Sequence, residues 1–228
     1  MNRAAGKKTL ELGAVLICLL IIFISGCTRS GDSDKKPPQQ AKPLSRELTE
    51  LLPEKAGFRW VYSGFAEYGH TMELRSIVRG ETAARYEVEG EVIDVSGGEA
   101  EGDFGLRVEY EVKNGSLRMR KDSEKMMDNF SELELIRLPL KKGTQWEQKA
   151  QHKDGREYRL TCTIQKVEDD PQGKIYTVVY KDKDSDFYEK RRIQENWGVI
   201  SFETVWESEE GPVTIGYDLY REASGYKK

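Results

Sequence analysis

Cysteine and histidine are scarce in this chain: Cys18, Cys27 and Cys162, with His70 and His152, are all that 228 residues contain. Cys18 and Cys27 fall in an N-terminal segment outside the folded domain. One thiol and two imidazoles then remain, which cannot form an internal disulfide and are too few for a four-ligand structural zinc site. Also missing are the G-x-S-x-G elbow, the P-loop, H-E-x-x-H and G-x-G-x-x-G, so the familiar routes to serine hydrolysis, nucleotide binding and zinc proteolysis are not written in the sequence. No cofactor is expected. No apolar run approaches the roughly 20 residues of a spanning helix; the longest, residues 12–24, has thirteen. Basic charge is not in excess either, the net being −4, which argues against a nucleic-acid partner and against electrostatic adhesion to anionic lipid.

What the N-terminus does contain is a pattern. Arg3, Lys7 and Lys8 precede the apolar run, and Ile24-Ser25-Gly26-Cys27 follows it. A positive head, a short apolar stretch and small residues ahead of a cleavage point describe a secretion signal over residues 1–26. The four closing residues resemble the lipobox of bacterial lipoproteins, with Ile24 where that family usually has Leu. The resemblance implies that the Cys27 thiol, the one strongly nucleophilic side chain there, receives diacylglycerol, that cleavage follows before Cys27, and that the new amino group can be acylated. Two or three acyl chains anchor a protein stably without a spanning helix. Loss of the signal removes three basic residues and one acidic residue, leaving 33 and 39 and a net of −6. The expected location is the extracytoplasmic face of a bacterial membrane.

Residues 27–43 carry no aromatic or large aliphatic side chain, so they read as a tether. Residues 45–52, SRELTELL, suggest one or two helical turns capped by Ser45 and stopped before Pro53. Beyond them, alternation of period two dominates. Tyr86, Val88 and Val92 alternate with charged residues, as do Leu106, Val108, Tyr110 and Val112; Tyr158, Leu160, Cys162 and Ile164; Ile200, Phe202, Thr204 and Trp206; and Val213, Ile215, Tyr217 and Leu219. Turn signals separate them at Ser96-Gly97-Gly98, Asn114-Gly115, Asp154-Gly155, Asp170-Pro171-Gln172-Gly173 and Glu210-Gly211-Pro212. The fold class is therefore all-β and mainly antiparallel, a meander of about ten to twelve strands forming a curved or barrel-like sheet, with at most one short N-terminal helix. The strands are too charged for a membrane-spanning barrel.

The meander repeats. Pro53, Gly57 and Trp60 recur as Pro139, Gly143 and Trp146, and Leu74 as Leu160, all 86 residues on; Tyr86 then pairs with Tyr176 and Gly115 with Gly198 as turn lengths change. Duplication is the reading, with a first β repeat over 44–138 and a second over 139–228. The P-x-x-x-G-x-x-W openings, residues 138–146 above all, look like those of Gram-positive envelope lipoproteins that begin a β-rich extracytoplasmic domain this way. That resemblance carries no active site to transfer.

Candidate chemistry is thin. Asp182, Asp184 and Asp186 have the spacing that opens a calcium loop, but Phe187 stands where the turn glycine belongs and Ile193 where the bidentate glutamate belongs, so a solvated hairpin is expected. Glu207, Glu209 and Glu210 read the same way. His70 and His152 fall near hairpin tips, where a solvated imidazole is the ordinary outcome. Cys162 lies on an apolar phase and reads as a buried small hydrophobe. Trp60, Trp146, Trp197 and Trp206 are assigned to the core ahead of a ligand groove. Met126, Met127 and Phe130, in the irregular stretch 122–131, suggest closure over the core, with an adaptable lid as the alternative.

The reading is a non-enzymatic, membrane-anchored binding module for a hydrophobic ligand, a glycan or an envelope protein. An assembly component, or an enzyme using paired carboxylates on envelope polymers, is the alternative. The one site residue is Cys27, whose lipid makes the membrane the first partner. Replacing Cys27 with Ser should release the protein from the membrane and abolish labelling by a radiolabelled fatty acid; continued labelling would contradict the assignment.

Overall fold

A computed structural model describes residues 42–227, apart from 97, 123, 124 and 154. The signal segment, Cys27, the tether up to residue 41 and the turn residues Gly97 and Asp154 lie outside the described residues. The alternating stretches form twelve long strands. The first six are β1 (Phe58–Gly64), β2 (Gly69–Arg79), β3 (Ala83–Val92), β4 (Gly105–Lys113), β5 (Ser116–Asp122) and β6 (Glu132–Arg137). The second six are β7 (Gln145–Gln151), β8 (Glu157–Glu168), β9 (Ile175–Asp182), β10 (Tyr188–Gln194), β11 (Gly198–Ser208) and β12 (Gly211–Leu219). All pair antiparallel in one sheet, in the order β6-β5-β4-β3-β2-β1-β12-β11-β10-β9-β8-β7, and a short β13 (Gly225–Tyr226) joins the flank of β1. The sheet is an all-β, nearly closed barrel.

The two meanders meet where β1 pairs with β12, through Tyr62↔Leu219, Ser63↔Asp218 and Gly64↔Tyr217. Glycine is required at this corner: a Cβ on Gly64 would lie 2.3 Å from the Gly216 carbonyl oxygen, so the strands can coil this tightly only without one. Each strand turns its apolar phase inward, and Trp60, Tyr62, Tyr86, Tyr180, Phe130 and Phe202 are fully buried inside.

The helix is shorter than expected, α1 (Arg46–Thr49), and Ser45 makes no side-chain cap bond. Tertiary contacts hold it instead. Leu48, Leu51 and Leu52 are buried, the Asn196 and Gly198 amides donate to the Glu50 and Leu51 carbonyls, and the Leu44 amide donates to Glu81 in the β2–β3 turn. Because the strands run up and down, alternate connections lie at opposite ends of the barrel. The α1 segment covers one end; residues 125–131, between β5 and β6, cover the other.

Gly57 and Gly143 both adopt left-handed φ, 85° and 87°. The Gly57 amide donates to the Leu74 carbonyl and the Gly143 amide to that of Ile164, each beside a bulge in the following pair of strands. The geometric counterpart of Leu74 is thus Ile164, not the Leu160 that a constant spacing selects. The longer β7–β8 hairpin absorbs the difference: Trp60 pairs with Met72, whereas Trp146 pairs with Cys162. Trp60 and Trp146 are both buried, but only Trp60 has its indole N–H satisfied, 2.6 Å from the Trp197 carbonyl.

The outer strands β6 and β7 do not form a ladder. One side chain bridges them: Gln148 Oε1 accepts from the Glu134 amide at 2.8 Å, and its Nε2 donates to the Glu134 carbonyl at 2.9 Å. The amide copies the two bonds of a neighbouring strand residue and satisfies an edge that closure buries. Farther along the seam, Phe130 and His152 form an isolated bridge, and the Lys153 amide donates to the Asn129 carbonyl. Gln148→Leu keeps the bulk and removes both bonds. At about 1–3 kcal/mol for each of the two orphaned buried groups, urea unfolding should show a loss of about 2–6 kcal/mol. A loss below about 1 kcal/mol would mean that the seam does not depend on this amide.

Candidate functional site

The mouth opposite α1 concentrates buried polar groups. Lys121 ends the inward phase of β5 after Leu117 and Met119, while Glu189 and Arg191 occupy the inward phase of β10 with Ile193. These strands stand in different meanders, so their charges enter from different parts of the wall. Between them sits Asp128, fully buried, carried by the covering segment 125–131. Lys121 Nζ makes an ion pair with Asp128 Oδ1 and donates to its carbonyl at 2.9 Å. Arg191 Nη1 donates to Asp128 Oδ2 at 3.0 Å and Nη2 to Glu189 Oε2 at 2.9 Å. Two cations and two carboxylates balance. Isolated charges would be costly to bury; as a hydrogen-bonded set they can be accommodated.

Electrostatics follow from that balance. Burial alone would raise the Asp128 pKa, but Lys121 and Arg191 together outweigh it and hold the carboxyl down at about 2. For Lys121 burial is the largest influence and lowers its pKa, with Asp128 opposing. Burial likewise disfavours charge on Arg191, yet Glu189 and Asp128 more than compensate and push its pKa up.

Aromatic rings surround the charges. His70, on β2, stacks on Tyr62 with ring centres 4.4 Å apart, and the Tyr217 ring meets it edge-on at 4.8 Å. Tyr62, Tyr110 and Tyr217 all feel the charges of Asp128 and Arg191. The Arg191 guanidinium lies over the Phe202 ring at 5.0 Å. Not every polar atom is satisfied: neither nitrogen of His70, nor Arg191 Nε, has a hydrogen-bond partner among the described residues.

Besides its carboxylate, the covering segment is held by apolar burial and by hydrogen bonds, the Lys153 amide donating to the Asn129 carbonyl at 2.9 Å and the Lys121 amide to the Ser131 carbonyl at 2.8 Å. The Met127 amide donates to the Tyr68 hydroxyl at 3.3 Å, the Asn129 amide to Glu189 Oε1 at 3.2 Å, and Met126 and Phe130 are buried beneath it. The β1–β2 hairpin beside it is strained. Ala66 and Glu67 both take left-handed φ, 51° and 62°, without glycine, at roughly 1–2 kcal/mol each. That turn presents Phe65 outward and Tyr68 over His70.

His70 corrects the expectation of a solvated turn imidazole, because β2 begins at Gly69 and its second residue points into the barrel. His152 is half-buried against Phe130, Tyr158 and Phe187. Cys162 is buried, its thiol pushed up to about 12 by burial, with Gln148 Nε2 at 3.2 Å. Asp182 and Asp184 organise the β9–β10 hairpin, Asp184 pairing with Arg159 at 2.8 Å. Among the described residues no group of three or more His, Cys, Asp or Glu is placed to hold a metal. Trp197 packs on Phe58. Trp206 corrects the core assignment: it is 51% exposed, because β11 and β12 run beyond the last residues paired to β10 and β1.

No family model matches the chain, and no curated protein does. Two solved structures resemble it, both provisionally described. One, a lipoprotein from Parabacteroides distasonis ATCC 8503, is 13% identical with a TM-score of 0.41, over 75% of this chain and 97% of that one. The other, an exported protein with a YmcC-like fold from Bacteroides fragilis NCTC 9343, is 8% identical with a TM-score of 0.44, over 74% and 96%. Both likenesses are too weak to carry a function across.

His70 gives the site a pH signature. Burial lowers its pKa from 6.5 to about 4, so the folded state keeps it neutral while the unfolded chain takes a proton below 6.5. The unfolded state therefore binds more protons between about 6.5 and 4, and stability should fall as pH drops through that window, by about 3 kcal/mol in all. Denaturation at pH 7 and pH 4.5 should show most of this loss in the wild type and a smaller one in His70→Phe. Equal pH dependence in both would contradict the assignment.

Proposed function

We propose that this chain is a lipid-anchored, extracytoplasmic binding protein without catalytic activity, and that its binding end is the mouth covered by residues 125–131. The lipobox-like Ile24-Ser25-Gly26-Cys27 supplies the anchor. One observation carries the choice of end: the buried charged set and the unpartnered nitrogens of His70 lie opposite α1, where Phe65, Ile93, Val95 and Trp206 are also 45–58% exposed, although Val78, Tyr220 and Tyr226 are exposed nearer α1. Large apolar side chains exposed together mark interaction sites more often than scattered ones do.

The carboxylate-enzyme alternative has less support. Asp128 and Glu189 are both committed to Arg191, and Glu134 is paired with Arg137. An acid held near pKa 2 is a poor proton donor at neutral pH. We also read the halves 44–138 and 139–228 as a duplication, supported by the matched Gly57 and Gly143 amide bonds at their bulges.

A photo-crosslinking amino acid placed in the lipidated protein in cells tests the binding end. Positions 65 and 206 should capture a discrete partner or ligand, and position 78, more exposed than either and near α1, should not. Capture from position 78 alone, or equally from all three, would contradict the proposal.

A further inference from the structure

The carboxylate at the centre of the mouth belongs to the cover, while its two cations belong to the wall. Lys121 and Arg191 are fixed by the ladders of β5 and β10; Asp128 is held by no strand. Taking Asp128 away leaves Lys121, Arg191 and Glu189, a net of +1, with buried donors lacking an acceptor. His70 and Arg191 Nε already lack partners there. What occupies the mouth has a definite chemistry: one negative charge flanked by the buried apolar side chains of Met126 and Phe130. Resting on the reading of the mouth as the binding end, we infer that Asp128 stands in for the carboxylate of an apolar monocarboxylate ligand, which displaces residues 125–131 and takes over the pairing with Lys121 and Arg191.

The charge count selects the class. A monocarboxylate restores neutrality; a doubly charged phosphate would leave a buried excess of one negative charge, which is disfavoured. The same count explains why the cover stays shut without ligand. Opening strands two buried cations, and breaking a buried pair without replacement is strongly destabilising. Soft, unbranched Met126 and Met127 suit a segment that must leave one apolar setting and settle in another. The surrounding tyrosines and His70 would meet the ligand below its head group.

Asp128→Ala in the soluble domain empties the carboxylate position. Its Tm should fall below that of the wild type. Formate or acetate should restore it saturably, by about 5 °C or more at about a hundred times Kd, and more than phosphate at equal ionic strength. The double variant Lys121→Met/Asp128→Ala should show no such rescue. Equal rescue by phosphate, or rescue that survives loss of Lys121, would overturn the inference. Should Asp128→Ala not fold, the wild type decides: the methyl resonances of Met126 and Met127 should shift saturably with decanoate and not with decanol, which has the same tail and no charge. No shift with decanoate, or equal shifts with both, would overturn it. Neither measurement involves a cellular partner, so failure here would leave the crosslinking pattern at positions 65 and 206 standing on its own.

Discussion

A barrel interior tolerates ionic groups only in balanced sets, and this constraint organises the mouth of the domain. Arg191 cannot be buried alone, and Glu189, two residues along the same strand, supplies only one partner. The second must come from elsewhere, as must an acceptor for Lys121. Asp128 meets both needs at once. The segment that carries it is thereby drawn over the opening, bringing Met126 and Phe130 into the core with it. The irregular connection between β5 and β6 thus owes its position to charge pairing as much as to apolar burial. A comparable set of apolar side chains would fill the space as stably or more so; what the ionic set adds is a cover whose release depends on charge.

The remainder of the barrel solves a different polar problem. Twelve strands that nearly close must bring two outer strands together, and each brings backbone groups that water no longer reaches. Gln148 satisfies Glu134 on both sides with a side-chain amide. The Tyr180 hydroxyl does the same for the Leu135 carbonyl at 2.6 Å. At the other end α1 contributes carbonyls to the β10–β11 turn and three leucines to the core. The α1 end is therefore held by backbone bonds and apolar contact, and the mouth by these together with ionic bonds.

Much of the fold can be read from alternation alone. The stretches 85–92 and 106–113 announce their buried faces because apolar and charged residues strictly alternate, and period two is what a half-buried strand requires. The mouth is harder to read. In β10 the inward phase is Glu189, Arg191 and Ile193, so two of three inward positions look like surface. In β5, Lys121 follows Leu117 and Met119 on one phase, a signal visible only once the strand is assigned. Asp128 sits in a segment with no periodicity, and nothing local distinguishes it from a solvated aspartate. Trp206 misleads in the opposite sense: its phase is inward, but the β11–β12 hairpin outruns its neighbours, and strand length relative to neighbours is not encoded in any one strand. His70 misleads because a hairpin tip two residues away does not place it outside.

Residues 125–131 should behave as a separable cover clamped by charge rather than as an integral part of the core. Native-state hydrogen exchange at the Met127 and Asn129 amides, compared with Val178 and Tyr180 in β9, tests this most directly. The first two should exchange through a local opening smaller than global unfolding, with little dependence on denaturant. Exchange of all four only through global unfolding, with one common free energy and one common denaturant slope, would contradict it.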